Sequence, residues 1–190
     1  MTGFDSQAGK AVDKAADRGP STWARISGTL AAVGFAVVLA GPAEAVTRTE
    51  RTFDGWTVSC VDDDEQQKRC TMYQSQVRAQ DRQLVLAWAI SRNQDNELVQ
   101  TVTVPSGVSI KEGIRLFIGD ADPVTLGYDI CGPRVCFARV PLTDDLVVAV
   151  RSSSRVSASY VRGNKQLMQL DLDVDGFADA YDYFVSELSS

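Results

Sequence analysis

The densest run of chemically capable residues is Asp171-Leu172-Asp173-Val174-Asp175-Gly176, with Asp182 at the twelfth place counted from Asp171. Carboxylates at alternate positions followed by glycine open an EF-hand loop, in which oxygen ligands wrap a calcium ion around a sharp turn. Here the twelfth residue is aspartate where a bidentate glutamate is usual, and Ala178 stands where a larger apolar residue is usual. Strand alternation offers a competing reading. Met168, Leu170, Leu172 and Val174 would point to a core, leaving Asp171, Asp173 and Asp175 on the wet face. A strand cannot also wrap an ion. The expectation is therefore an acidic strand face with no metal and no cofactor, the alternative being a calcium set of Asp171, Asp173, Asp175 and Asp182.

The chain has no histidine. That removes a serine–histidine triad, a cysteine–histidine pair, a histidine-ligated zinc and a histidine base. Ser152-Ser153-Ser154 and Ser157 could be nucleophiles with Lys165 as base, but such a dyad needs a buried lysine and an oxyanion hole. Their spacing matches no serine–lysine motif and reads as polar loop. A hydrolase using Asp129 and Asp144 would need the two carboxyls ~5–10 Å apart in a cleft, and nothing in the sequence indicates that pairing. No catalytic residue is assigned, and the expectation is a protein that is not an enzyme.

Four cysteines remain: Cys60, Cys70, Cys131 and Cys136. Cys131-Gly132-Pro133-Arg134-Val135-Cys136 is similar to the Cys-Gly-Pro-Cys of thiol oxidoreductases, but four residues intervene rather than two. It also lies between strand-like segments, away from any helix N-terminus that would lower a thiol pKa. The spacing fits no usual zinc knuckle. An even number of cysteines after an export signal reads as two structural disulfides. Of three possible pairings, the local ones, Cys60–Cys70 and Cys131–Cys136, are the simplest, each worth ~2–3 kcal/mol in the chain-entropy model.

The export signal is read from Ile26 to Ala40, an uncharged and mostly apolar run preceded by Arg18 and Arg25. Gly41-Pro42 breaks it, and Ala43-Glu44-Ala45 has the small-x-small form of a cleavage site, so cleavage is expected after Ala45. The run is shorter than the ~20 residues that span a bilayer comfortably, so an uncleaved anchor is the lesser alternative. Pro42 occupies the place that a lipidated cysteine would need. Residues 1–45 are thus an N-terminal extension and signal peptide, and 46–190 a single disulfide-stapled β domain. Lys+Arg number 19 against 25 Asp+Glu, for a net charge of -6. Four of each precede Val46, so the whole net charge belongs to the mature part, which argues against nucleic acid as partner.

These residues need a scaffold, and the pattern beyond Val46 is mostly of period two between turn signals. Strands are expected over 52–60 with an irregularity at Gly55, then 70–77, 84–90, 98–104, 108–110, 114–118, 124–129, 135–140, 156–161 and 167–174. The run Leu84 to Ile90 is the most continuously apolar and reads as a central strand buried on both faces. Trp56, Trp88 and Tyr73 read as core anchors. Asp62 to Glu65 with Lys68 and Arg69 makes a charged tip, for solubility or recognition. Thr143 can cap a helix over 144–150. Phe177, Tyr181, Phe184, Val185 and Leu188 make one stripe of a C-terminal amphipathic helix. The fold class is mainly β: an antiparallel β-sandwich or open barrel with two short helices.

Several segments in order, Phe53-Asp54-Gly55-Trp56-Thr57-Val58-Ser59-Cys60, Cys70 with Gln74, Val104-Pro105-Ser106-Gly107-Val108, Leu126 to Cys131, Cys136-Phe137-Ala138 and Leu170 to Ala180, carry a resemblance. The chain resembles the invasion-associated locus B family of exported bacterial proteins over essentially all of the mature part. The resemblance implies an exported, disulfide-bonded, sandwich-like domain from a family not known as enzymes. The family name reflects a link between some members and host-cell invasion. Asp171, Asp173 and Asp175, and the long segment before the export signal, depart from its pattern.

The functional expectation is an exported non-catalytic envelope protein, periplasmic or secreted. It would act by interaction with an envelope or host protein and touch membrane only through an uncleaved signal. The alternative is a periplasmic carrier of a small apolar ligand, for which an internal apolar cavity would be the sign.

Overall fold

The computed structural model describes residues 47–62 and 68–189. The expected signal segment, its cleavage after Ala45 and the tip residues Asp63 to Glu65 lie outside the described residues. The elements run β1 (Thr47–Phe53), β2 (Trp56–Asp62), β3 (Lys68–Val77), β4 (Leu84–Arg92), β5 (Leu98–Pro105), β6 (Ile114–Ile118) and β7 (Val124–Leu126). They continue with β8 (Ile130–Cys131), β9 (Val135–Pro141), α1 (Asp144–Ser152), β10 (Val156–Val161), β11 (Leu167–Leu172) and α2 (Phe177–Leu188).

Two antiparallel sheets result. One has seven strands in the order β1-β2-β3-β4-β5-β9-β8, the other four in the order β11-β10-β6-β7. Neither closes on itself, so the architecture is the sandwich-like alternative and not a barrel. Alternation decides which face of the large sheet turns inward. Val58, Met72 and Ile90 lie in one cross-strand row, and Trp88, Val102 and Ala138 in the next. All six are buried. The small sheet adds Ile114, Leu116, Ala158 and Tyr160 to the same core, and α2 adds Phe177, Ala180 and Phe184. At its centre Trp56 meets Trp88 edge-on at 5.3 Å and Phe177 at 5.2 Å. Such aromatic pairs stabilise beyond their buried area.

The opposite face of the large sheet stays partly open. The run Leu84 to Ile90 is central in the sheet, but only Leu86, Trp88 and Ile90 are buried, while Leu84, Val85, Ala87 and Ala89 are half-buried. The expectation of burial on both faces therefore fails: an antiparallel sheet can leave one face wet, and no second layer covers this one among the described residues. Tyr73 lies on that outer face, opposite Thr57 and Ala89, and is half-buried. It is not a core anchor. The inward residue beside it is Gln74, only 4% exposed.

Three further expectations are corrected. The irregularity at Gly55 is a hairpin turn, with Phe53 opposite Trp56 and Asp54 at φ 47°. Val108–Ile110 is no strand; Val108 makes one isolated bridge to Arg162. The stretch 124–129 pairs only as far as Leu126, after which the chain crosses to the large sheet as β8. In α1, Thr143 caps as expected by accepting from the Leu146 amide at 3.3 Å. In α2, Ala180 joins the buried stripe, whereas Val185 is 37% exposed and lies off it. Among the described residues no helix is long and apolar enough to cross a membrane.

Candidate functional site

The aspartate-rich motif is a structural joint. The Asp173 carbonyl accepts from the Trp56 indole at 2.9 Å and from the Gln74 amide at 3.0 Å, and the Asp173 N–H donates to Gln74 Oε1 at 3.0 Å. One residue pair along, Gln76 donates to the Asp171 carbonyl. Strand β11 is an edge of the small sheet, so its outward backbone groups need partners. β3 supplies them through two inward glutamines. The Asp173 carboxylate accepts from the Asp175 amide at 3.1 Å, and the Asp182 carboxylate is taken by Arg151. Asp171 is exposed opposite Ser157. The structure does not gather Asp171, Asp173, Asp175 and Asp182 about one point. Among the described residues no group of three or more such side chains is placed to hold a metal.

The other candidates are likewise dispersed. Ser152 Oγ donates to the Val148 carbonyl and Ser153 Oγ to the Arg155 carbonyl, both finishing the end of α1. Ser157 is buried, and Lys165 is exposed in the β10–β11 turn at φ 65°. An exposed ammonium is not the desolvated base that a serine–lysine dyad requires. Asp129 and Asp144 are both exposed.

Both disulfides are cross-strand staples. Cys60 joins Cys70 between β2 and β3, Cys131 joins Cys136 between β8 and β9, and each pair is directly opposed with 4.0 Å between Cα atoms. Close opposition of this kind lets a bridge span neighbouring strands. The second staple closes the turn Gly132 to Val135 and so fixes Arg134.

Arg134 lines a cleft of about 280 Å³ where four connections meet, β3–β4, β5–β6, β8–β9 and β10–β11. Arg78 and Arg162 line it too, and no carboxylate among the described residues does. Leu84, Val85, Val108 and Met168 supply apolar walls. The backbone around it is tied down. The Ser106 amide donates to the Arg134 carbonyl at 2.9 Å and Ser106 Oγ to the Pro133 carbonyl at 2.9 Å. The Gly163 amide donates to the Gly107 carbonyl at 2.6 Å. Tyr160 donates from the floor to the Val85 carbonyl at 3.1 Å. Burial holds the Tyr160 hydroxyl above the ordinary tyrosine range, while the positive charges of Arg162 and Arg78 pull it back. Arg78 forms an exposed pair with Asp81 at 3.2 Å. The guanidiniums of Arg134 and Arg162 have no hydrogen-bond or ion-pair partner among the described residues. Sequence reading missed this cleft; its only local sign was an arginine inside the short Cys131–Cys136 loop.

A second cavity of about 320 Å³ lies between the end of α1 and the start of α2. It mixes Arg151 with Asp175 and Asp179, and Arg151 is already engaged by Asp182.

With the geometry in view, comparison with known proteins places the chain. The model of the family described as Invasion associated locus B (IalB) protein matches residues 56–184. The chain belongs to the invasion-associated locus B family. The match begins at Trp56 and ends at Phe184, so both partners of the Trp56–Asp173 joint fall inside it. A curated relative, Invasion protein B of Bartonella bacilliformis, is 28% identical over 143 residues, 73% of this chain and 75% of that protein. The crystal structure of invasion associated protein B from Bartonella henselae superposes with a TM-score of 0.62. It is 21% identical and covers 73% of this chain and 95% of the other, a likeness of fold.

Proposed function

We propose that this member of the invasion-associated locus B family is an exported, non-catalytic binding module of the cell envelope, and that the arginine cleft is its working surface toward a partner protein. One observation carries the reading: a chain of net charge -6 has three arginines and, among the described residues, no carboxylate in one cleft. Surface potential of the opposite sign to the rest of the molecule steers association and selects partners. The cross-strand staples agree with an oxidising compartment, since disulfides do not persist where thiols are kept reduced. The relative and the solved structure carry invasion in their names; for this chain, association with envelope or host follows as part of the proposal. The rings of Trp56, Trp88 and Phe177 fill the space between the layers, which speaks against an apolar carrier.

The test uses the full-length chain in a bacterial host that carries the gene. Fractionation with thiol labelling is expected to find it outside the cytosol with all four cysteines blocked to alkylation. A photo-crosslinking residue at Gln83, on the cleft, is expected to trap a discrete protein adduct that the same residue at Gln169 does not. Reduced cysteines in a cytosolic pool, or turnover of a substrate by the purified protein, would overturn the proposal.

A further inference from the structure

We infer that the cleft is a receptor for a compact oxyanion, a carboxylate or a phosphate, borne next to a short apolar group. The inference rests on the reading of the cleft as the working surface and names the chemistry it recognises.

Three features converge. The first is charge. Arg134 and Arg162 face the cleft without carboxylate partners, in a protein that otherwise holds an excess of acids. Guanidinium forks match the paired oxygens of carboxylate and phosphate, and they keep their charge at every physiological pH. The second is fixation. Arg134 sits in a turn closed by Cys131–Cys136 and held through Ser106; Arg162 starts a turn in which its amide donates to the Gln166 carbonyl at 2.8 Å. Donors whose backbone is already ordered lose less freedom when a ligand arrives. The third is size. About 280 Å³, walled by Val85, Val108 and Met168 beside the arginines, holds a charged head and a few carbons. A folded domain or a duplex could not enter, so a macromolecular partner would insert one such group.

The experiment titrates protein purified in its processed, oxidised form from the periplasm, followed by amide and arginine Nε–H chemical shifts. The probes are inorganic phosphate, octanoate, octyl phosphate and, as charge control, octyltrimethylammonium. Saturable shifts confined to Ser106, Gly107, Arg134, Arg162 and Gly163 are expected with octanoate, octyl phosphate or both, and the tighter of the two names the source of the oxyanion. Inorganic phosphate is expected to bind more weakly than octyl phosphate. Raising salt from about 50 to about 300 mM is expected to weaken binding of the anions. Arg134→Gln and Arg162→Gln should each weaken the tighter anion by about tenfold or more. Their melting temperatures should stay near the parent value, because neither guanidinium has a hydrogen-bond or ion-pair partner to lose among the described residues.

The inference is overturned if neither alkyl anion shifts the cleft at about 10 mM, the weak end of useful affinity. It is equally overturned if octyltrimethylammonium binds as well, or if both variants bind like the parent. Adducts at Gln83 without any anion response would sink this inference and leave the proposed function standing. Anion binding without adducts would do the reverse.

Discussion

The indole N–H of Trp56 donates to the backbone carbonyl of Asp173 at 2.9 Å, across 117 residues of sequence. The same carbonyl receives Gln74, so one edge residue is held by side chains from two strands of the opposite sheet. Trp56 is fully buried and Gln74 nearly so. Trp56→Phe removes the donor and three ring atoms while the Asp173 carbonyl keeps its bond from Gln74, and is expected to cost about 2 kcal/mol from the lost bond and the space left in the core together. Gln74→Leu strands the Asp173 amide as well and is expected to cost more. Urea unfolding of both variants checks this; equal stability to the parent would refute the joint.

Gly176 precedes α2 at φ +76°, and a Cβ there would lie 2.3 Å from the Phe53 carbonyl oxygen. Backbone cannot yield as a flexible side chain does. Gly176→Ala combines a left-handed alanine with that clash, and the left-handed conformation alone costs about 1–2 kcal/mol. The expected outcome is a loss above about 2 kcal/mol, read as a lower denaturant midpoint. Gly55→Ala meets Asp173 Oδ2 at 2.3 Å and Asp173 Cβ at 2.6 Å; turning the carboxylate does not move Cβ, and Trp56 and Gln74 hold the Asp173 backbone, so a comparable loss is expected.

The two staples close loops of different length, with separations of 10 and 5 residues. The chain-entropy model gives about 2–3 kcal/mol for each, slightly more for the longer loop. Replacing Cys60 and Cys70 by serine is expected to lower stability by that amount and leave the cleft intact. Replacing Cys131 and Cys136 is expected to cost similarly and also broaden the resonances of Arg134. Non-reducing peptide mapping of the parent should return only Cys60–Cys70 and Cys131–Cys136.

The Tyr128 hydroxyl is buried without a hydrogen-bond partner among the described residues, and burial pushes its pKa up to about 12. Below pH ~10, the unfolded value, the tyrosine is neutral in both states and its ionisation takes nothing from stability. Stability is lost as pH rises from there toward about 12, because only the unfolded chain gives up the proton freely. Tyr128→Phe removes the orphan hydroxyl. It is expected to raise stability at pH 7 by about 1 kcal/mol and to flatten the decline between pH 10 and about 12, which urea midpoints at the two pH values would show.

Much of the scaffold was legible because it depends on local chemistry. The strands 114–118 and 156–161 and the capped helix after Thr143 follow from alternation, turn residues and capping. Asp54-Gly55 was misread because a two-residue turn places Phe53 and Trp56 side by side, which in a straight strand looks like a break in alternation. The open face of β4 was hidden because apolar and small residues alternate there, and Ala87 and Ala89 resemble core in sequence. Beyond the arginine inside the Cys131–Cys136 loop, the cleft leaves no sign in the sequence. Arg78, Arg134 and Arg162 meet only through the order of strands in two sheets, which no local pattern encodes.

The joint near Asp173 also bears on when the molecule can finish folding. Trp56 is made 117 residues before Asp173, and Gln74 also precedes its partner there by most of the domain. A chain leaving a ribosome with its amino end leading has no complement for that tryptophan until Asp173 follows. Premature closure of the core is thereby postponed.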